Sequence, residues 1–296
     1  MPATESFVPA GGLRLHSLAW PAAPGSRPAV LLHGLASNAH IWDLTAPLLA
    51  AGGLAPVAFD LRGHGLSDKP AEGYDFATLA GDLVAAFQAL GLINPLLIGH
   101  SLGASLALEL ASSSSDLRPG ALVFVDGGVS QLQDLPGATW EVVSERLSPP
   151  RLAGTRLEDL REKWASPDRL WRPDERSMEI LLGSYARFPD GTIAPHLTFE
   201  RHMRLVRALW EFPTYERLRV THCPMLAILA DPPAGAEGVE IVHLDAKRRG
   251  IQAARSSGAD LSVHWMKDTI HDIPLQRPQA LAAEILRFTR RLPARR

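Results

Sequence analysis

The chain has 296 residues, of which 46% are hydrophobic and 21% are charged, and its formal net charge is −2. This length suffices for one large core, alone or with an inserted subdomain. The weak net charge argues against a nucleic-acid-binding surface and against an anionic membrane as a partner. The single cysteine, Cys223, excludes an intrachain disulfide and is expected to be a small buried residue at the start of a strand.

Targeting and membrane signals are not apparent in the sequence. Residues 1–12 have neither a basic start nor an apolar run, so we expect no secretory signal. No segment of about 18 uninterrupted apolar residues is present, so we expect no membrane span. A cytoplasmic location follows as the default expectation.

The first 128 residues alternate short apolar runs with helical patterns. The predicted strands are residues 13–20, 29–32, 56–59, 96–98 and 121–125. The predicted helices cover residues 41–51, 76–90 and the stretch that follows Ser101. Strands separated by helices in this way predict a parallel sheet with helices on both faces.

The residue pattern changes between residues 129 and 218, which are charged and helical and contain no convincing strand. Four tryptophans lie in this segment: Trp140, Trp164, Trp171 and Trp210. Core packing of a small helical layer is the favoured interpretation for most of them. Contact with a substrate pocket remains the alternative.

The alternation of strands and helices returns after residue 218. The predicted elements are a strand at 224–230, a helix at 244–254, a strand at 261–265 and a helix that begins at Pro278. Asp231 follows the first of these strands, and His271 lies in the loop before the last helix.

The most informative stretch is Gly99-His100-Ser101-Leu102-Gly103, which fits the G-x-S-x-G pattern of a nucleophile elbow. Such a string occurs by chance in roughly one chain in ten of this size. Here an apolar strand precedes it and a helix rich in small residues follows it, which is much rarer. The glycines leave room for a sharp turn that exposes the serine hydroxyl at the start of a helix. The helix N-terminus offers unpaired N–H groups to a developing oxyanion.

Four stretches together resemble the α/β-hydrolase fold family: the elbow at 99–103, His33-Gly34 after a strand, the D-x-R-G-x-G-x-S segment at 60–67, and Ile270-His271-Asp272-Ile273-Pro274. The resemblance covers nearly the whole chain. It implies an α/β-hydrolase fold with a mostly parallel central sheet, helices on both faces and an inserted helical cap. The core domain would comprise residues 1–128 and 219–296, and the cap would comprise residues 129–218.

The resemblance also implies roles for individual residues. Ser101 would be the nucleophile, and His271 would act as base and then as acid. Asp231 would orient His271, which matches the family order Ser, Asp, His. The backbone N–H groups of Leu35 and Leu102 would form the oxyanion hole. Neither a metal nor another cofactor is expected, and the expected partner is a small-molecule substrate.

The sequence offers two candidates for the acid. In the family a glycine usually follows the strand and the acid comes a few residues later, whereas Asp231 directly follows Ala230. Asp126 ends the preceding core strand and is a rival for the same role. With Gly127 and Gly128 it also has a structural alternative, a turn formed through its own side chain.

The remaining polar residues of the motifs are expected to support loops rather than react; these are His33, Arg62 and His64. Surface positions are expected for His16, His196, His202 and His222.

The sequence favours a serine hydrolase acting on a small to medium carboxylic ester or a lactone. A serine at the elbow argues against dehalogenases and epoxide hydrolases, which would carry an aspartate there. Two alternatives remain open: a carbon–carbon bond hydrolase, and a ligand-sensing receptor that keeps the triad. The oligomeric state is also left open.

Overall fold

An eight-stranded sheet lies at the centre of the molecule, with helices on both faces. The computed structural model describes residues 2–113, 117–236 and 239–293. Its strands are β1 Thr4–Ala10, β2 Leu13–Ala19, β3 Arg27–Leu32, β4 Leu54–Phe59, β5 Leu96–His100, β6 Ala121–Val125, β7 Thr155–Arg156, β8 Tyr185–Arg187, β9 Thr192–Pro195, β10 Met225–Asp231 and β11 Leu261–Lys267.

The helices follow the strands in the alternation that the sequence predicts. They are α1 Ala46–Ala51, α2 Phe76–Ala89, α3 Leu102–Ser113, α4 Trp140–Arg146, α5 Leu157–Ala165, α6 Glu175–Leu182, α7 Phe199–Glu211, α8 Thr214–Val220, α9 Val239–Ser256, α10 Ile273–Gln276 and α11 Pro278–Thr289. Single 3₁₀ turns form at Ala39–Trp42 and Leu132–Asp134. None of the helices in the described ranges is long and apolar enough to cross a membrane.

The sheet order is β1-β2-β4-β3-β5-β6-β10-β11. From β4 to β11 every neighbouring pair is parallel, whereas β2 pairs antiparallel with both β1 and β4. The predicted fold class is therefore confirmed, with β1 as an additional strand that the sequence pattern did not reveal. Because the parallel strands point the same way, the loops after β5, β6, β10 and β11 meet at one edge of the sheet.

The apolar runs of the central strands are buried because helices cover both faces of the sheet. In β5, Leu97 packs into the layer that contains α2 and α3. Its neighbours Leu96 and Ile98 pack into the opposite layer, which contains α1 and α11. The two-residue period of the strand thus distributes one continuous apolar run between two cores.

The predicted helix at 41–51 is interrupted in the structure. A 3₁₀ turn over Ala39–Trp42 precedes α1, which begins at Ala46. Pro47 lies in the first turn of α1, the position where its missing N–H removes no intrahelical hydrogen bond. A single helix through residues 41–51 would place that proline in the helix interior, where it would disrupt the backbone bonding.

Residues 129–218 contain both helices and strands, so the expectation of no strand there is wrong. A small antiparallel sheet with the order β7-β9-β8 lies between the helices. Its strands have two to four residues, which is too short for an alternating pattern to be recognisable. Helix α8 also continues past the expected boundary at residue 218. We propose that this insert between β6 and β10 acts as the cap.

Two histidines that were expected at the surface are buried. The ring of His16 lies in the sheet with its Nδ1 2.9 Å from Asp60 Oδ2, and His202 Nε2 lies 2.9 Å from the carbonyl oxygen of Leu147. His222 is exposed, and Cys223 is half-buried just before β10. Burial raises the pKa of the Cys223 thiol to about 11.

Candidate active site

Ser101 occupies the sharp turn between β5 and α3. Its φ of 54° is in the left-handed region that residues with side chains seldom adopt. The turn requires glycine on both sides, because a Cβ at Gly99 would lie 2.1 Å from the Gly103 carbonyl oxygen. A Cβ at Gly103 would lie 2.4 Å from the Leu32 carbonyl oxygen of the adjacent strand. The strand, turn and helix therefore hold Ser101 at the edge where the other loops meet.

Leu35 and Leu102, whose backbone N–H groups are the predicted oxyanion hole, line the same cavity as Ser101. Leu102 is the first residue of α3, and the first N–H groups of a helix have no intrahelical acceptor. His33 supports the loop that carries Leu35: its Nδ1–H donates to the Gly34 carbonyl oxygen over 2.7 Å. Its Nε2 accepts the Leu61 N–H over 3.0 Å. Burial lowers the pKa of His33, which is consistent with a neutral ring in this bridging position.

The neighbouring segment at 60–67 is held by buried polar contacts. The Asp60 carboxylate accepts the backbone N–H groups of Ala39 and Leu66 over 2.7 and 2.8 Å. The Arg62 guanidinium binds both carboxylate oxygens of Asp82 over 2.7 Å. His64 Nδ1 donates to the Arg62 carbonyl oxygen over 3.0 Å. These contacts hold the loops beside the site in place, as the sequence predicts for Arg62 and His64.

His271 reaches the site from the loop after β11 and hydrogen-bonds to Asp126. Its Nδ1 lies 2.7 Å from Asp126 Oδ2. The Asp126 side chain is 1% exposed, whereas that of His271 is 45% exposed. Asp126 leaves β6 with a φ of 47°, and its Oδ1 accepts the Ala230 N–H over 2.8 Å. A serine and a histidine that is oriented by a carboxylate thus line one cavity.

The predicted pairing of Asp231 with His271 is therefore wrong in this structure. His271 Nδ1–H donates to Asp126, and among the described residues no hydrogen bond joins His271 to the Asp231 side chain. Asp231 remains within β10, in register with Lys267, and its carbonyl oxygen accepts the Thr269 N–H. The chain order favoured Asp231, on the later strand β10. In the structure, Asp126 lies at the turn after β6 with its side chain bonded to His271, whereas Asp231 is still paired with β11.

Lys247 is a further group at the site that the sequence analysis missed. Its Nζ lies 2.7 Å from Asp126 Oδ1, and its side chain is 9% exposed. His243, one turn earlier on α9, lines the same cavity. A signal was available, because Lys247 lies on the helix face of the buried residues Ile251 and Ala254. A lysine at such a position indicates a buried partner.

The charges at the site are coupled through Asp126. Burial alone would raise the pKa of Asp126, but Lys247 and His271 outweigh it and hold this pKa well below its usual range. Burial alone would lower the pKa of His271, but the hydrogen bond and the charge of Asp126 outweigh it and raise this pKa. Burial, with Lys247 second, lowers the pKa of His243 to about 4. Asp126 is consequently ionised, and His243 is neutral, near neutral pH.

His100, the second residue of the elbow motif, also contacts the histidine loop. Its Nε2 donates to the His271 carbonyl oxygen over 2.9 Å, and the two rings lie 4.8 Å apart. Burial, with the charge of His271 second, lowers the pKa of His100 to about 3. The neutral ring is therefore a fixed donor that ties the loop of His271 to the elbow.

The cavity at Ser101 has a volume of about 330 Å³. Apolar side chains form much of its wall, and the insert contributes Leu132, Leu147, Leu209 and Phe212. The rings of Trp140 and Trp210 pack against each other 6.3 Å apart, and neither lines this cavity. Within the described ranges no hydrogen bond joins Ser101 to His271, and such bonds often tighten only once a substrate is bound.

Known proteins share both sequence and fold with this chain. A model described as the alpha/beta hydrolase family matches residues 29–284. The AB hydrolase superfamily protein YisY of Bacillus subtilis (strain 168) is 32% identical over 111 residues, which cover 38% of this chain and 41% of that protein. The 2-(acetamidomethylene)succinate hydrolase of Mesorhizobium japonicum is 38% identical over 96 residues, which cover 31% of this chain and 34% of that protein. The chain spans less than half the length of these curated relatives.

The fold of this chain also matches that of a solved structure over nearly the full length of both chains. The crystal structure of E-2-(acetamidomethylene)succinate hydrolase superimposes with a TM-score of 0.77 and 20% sequence identity. The superposition covers 97% of this chain and 99% of that one. At this identity the likeness concerns the fold.

Proposed function

This protein belongs to the alpha/beta hydrolase family, and we propose that it is a serine hydrolase of small to medium carboxylic esters or lactones. Ser101 is the nucleophile, His271 is the base and Asp126 is the acid that orients the histidine. The observation that carries the proposal is the His271–Asp126 hydrogen bond at the cavity that exposes Ser101. A serine hydroxyl is weakly nucleophilic at neutral pH and needs such an oriented base.

In the acylation step, His271 Nε2 takes the proton from Ser101 Oγ as the oxygen attacks the ester carbonyl carbon. The resulting oxyanion accepts hydrogen bonds from the N–H groups of Leu35 and Leu102, each worth about 3 kcal/mol. The imidazolium is stabilised by the ionised Asp126 and then protonates the departing alkoxide. The products of this step are an alcohol and an acyl-enzyme on Ser101.

In the deacylation step, His271 takes a proton from water, and the hydroxide equivalent attacks the acyl carbon. The second tetrahedral intermediate collapses, His271 returns the proton to Ser101 Oγ, and the carboxylic acid leaves. One water is consumed and the enzyme returns to its starting state.

The size and walls of the cavity support the proposed substrate range. A volume of about 330 Å³ is at the lower end of small-molecule sites, which suits a short to medium acyl chain. Leu147, Leu209 and Phe212 offer apolar contacts to that chain. In lactone hydrolysis the leaving alkoxide stays attached to the acyl group, and the same residues serve.

The proposal is tested by a panel of p-nitrophenyl esters of increasing acyl length, together with lactones and vinylogous diketones. We expect steady turnover on short to medium esters and a loss of turnover in Ser101→Ala. Turnover confined to diketones would favour a carbon–carbon hydrolase. A single slow event per Ser101 coupled to a change of shape would favour a receptor.

A further inference from the structure

We propose that Lys247 is a positioning residue that fixes the Asp126 carboxylate and sets the pH range in which His271 acts as base. This inference deepens the proposed function and rests on it, because it assigns a purpose to the His271–Asp126 pair. It concerns a lysine that does not touch the reacting atoms of the proposed mechanism and acts through the acid.

The geometry shows how Lys247 fixes the carboxylate. Asp126 Oδ1 accepts two bonds from different elements: the Ala230 N–H of β10 over 2.8 Å and Lys247 Nζ of α9 over 2.7 Å. These two donors determine the plane of the carboxylate. The other oxygen, Oδ2, is thereby directed at His271 Nδ1 over 2.7 Å.

The burial of the pair shows that the charges depend on each other. The side chains of Lys247 and Asp126 are 9% and 1% exposed. A buried ammonium or carboxylate is strongly penalised unless a partner compensates it, and each compensates the other here. The ion pair is therefore part of the folded site and differs from a solvated surface contact.

The ion pair between Lys247 and Asp126 also changes the net charge of the groups around His271. An isolated Asp–His pair becomes neutral overall when the histidine is protonated. With Lys247 in contact, the three groups are neutral when His271 is neutral and carry one positive charge when it is protonated. The positive charge of Lys247 thus opposes protonation of His271 and lowers its pKa. His271 therefore stays neutral, and able to act as base, to a lower pH.

The other titratable groups near His271 do not oppose its protonation in the pH range where it titrates. His100 and His243 have pKa values of about 3 and about 4, lowered first by burial, so both are neutral where His271 titrates. Asp272, the adjacent residue, favours the protonated form of His271. Lys247 is the cation that contacts Asp126 among the described residues.

The test measures the pH dependence of Ser101 labelling by a fluorophosphonate, a reaction that requires neutral His271. In Lys247→Met we expect the midpoint of the acid limb to rise by about one pH unit. Lys247→Gln removes the charge while keeping a donor, and it serves if the methionine variant fails to fold. Lys247→Arg keeps the positive charge, so its midpoint should stay near that of the wild type.

Arg248→Met is the matched control, because it removes a positive charge from the same helix at a side chain that is 63% exposed. Its midpoint should equal that of the wild type. A uniform loss of labelling in the neutral variants at every pH, without a shift of midpoint, would overturn the proposal and leave Lys247 a structural residue.

NMR titration of the His271 imidazole gives the same midpoint without any reaction. It separates the two hypotheses, because the titration shift is observable even if Ser101 proves unreactive. An unlabelled wild-type Ser101 would refute the proposed function, whereas an unshifted His271 titration in Lys247→Gln would refute the role of Lys247.

Discussion

Asp126 Oδ2 lies 2.7 Å from His271 Nδ1, so the strand β6, rather than β10, supplies the carboxylate that orients the histidine. The acid therefore lies on β6, which precedes the insert, rather than on β10, its neighbour in the central sheet, and the chain order Ser, Asp, His is kept. It also lies beside the elbow: a Cβ at Gly127, the next residue, would be 2.5 Å from the Ser101 carbonyl oxygen. The turns that follow β5 and β6 are thus in direct contact.

Asparagine substitution at the two aspartates distinguishes their roles. Asp126→Asn keeps the shape of the side chain but removes the charge that stabilises the imidazolium and selects its tautomer. In a serine protease the equivalent change lowers kcat by about 10⁴-fold, and we expect a loss of similar size here. Asp231→Asn should change kcat only slightly. The measurement is kcat for ester hydrolysis, with melting temperatures to confirm folding, and the reverse ranking would return the acid to β10.

The pH profile of activity should report His271. Neutral His271 is the active form, so kcat/KM rises with pH through the pKa of this residue. Burial lowers that pKa, but Asp126 outweighs burial, and the midpoint should lie above the ordinary value of 6.5. Removing the negative charge in Asp126→Asn should shift the midpoint to lower pH, opposite to the shift expected for Lys247→Met. His222→Gln, at an exposed histidine, is the control; a midpoint that moves with His222 instead would contradict the assignment.

The elbow should not tolerate a methyl group at Gly99. An added Cβ would lie 2.1 Å from the Gly103 carbonyl oxygen, a backbone atom that cannot rotate away. We expect Gly99→Ala to lower the free energy of unfolding by about 3 kcal/mol or more, as measured by urea denaturation. Gly81→Ala is matched, because its Cβ would meet nothing within 4 Å and it lies within α2. That control should gain about 0.5–1 kcal/mol, and equal effects at both glycines would refute the steric argument.

The insert is expected to select the substrate through Leu209, which lines the Ser101 cavity. Leu209→Ala enlarges the apolar wall, so the kcat/KM ratio of longer to shorter acyl esters should rise about tenfold. Labelling of Ser101 by a small fluorophosphonate should change much less. Trp210→Ala, at the next residue, alters a ring that faces Trp140 outside the cavity and should leave the ratio near the wild-type value. A larger effect at Trp210 would place the selecting surface elsewhere on the insert.

The parts of the site that the sequence predicts are those set by local chain geometry. The elbow is one such part, because a strand, a turn and a helix must follow each other within residues 96–113 and the glycines mark the turn. The position of His271 between the last strand and the last helix is another. Both depend on neighbours in sequence, which a single chain displays.

The remainder depends on contacts between distant segments. The choice between Asp126 and Asp231 was not decided by pattern, since both follow buried parallel strands. It is determined by the left-handed backbone conformation of Asp126, with a φ of 47°, at the end of β6. It also depends on the loop after β11, which brings His271 Nδ1 within 2.7 Å of the Asp126 carboxylate. Lys247 is 121 positions from Asp126 along the chain, and the two pair because α9 passes close to the segment that follows β6, where Gly250 faces the Val129 carbonyl oxygen. The strands of the insert escaped detection because two to four residues carry too little pattern.

Peptide mapping after reaction with a fluorophosphonate probe tests the central claim, that Ser101 is the nucleophile of a serine hydrolase, most directly. We expect one adduct per chain, located on Ser101 by mass spectrometry, and no adduct in Ser101→Ala. An adduct on another residue, or ester hydrolysis that persists undiminished in Ser101→Ala, would contradict the account.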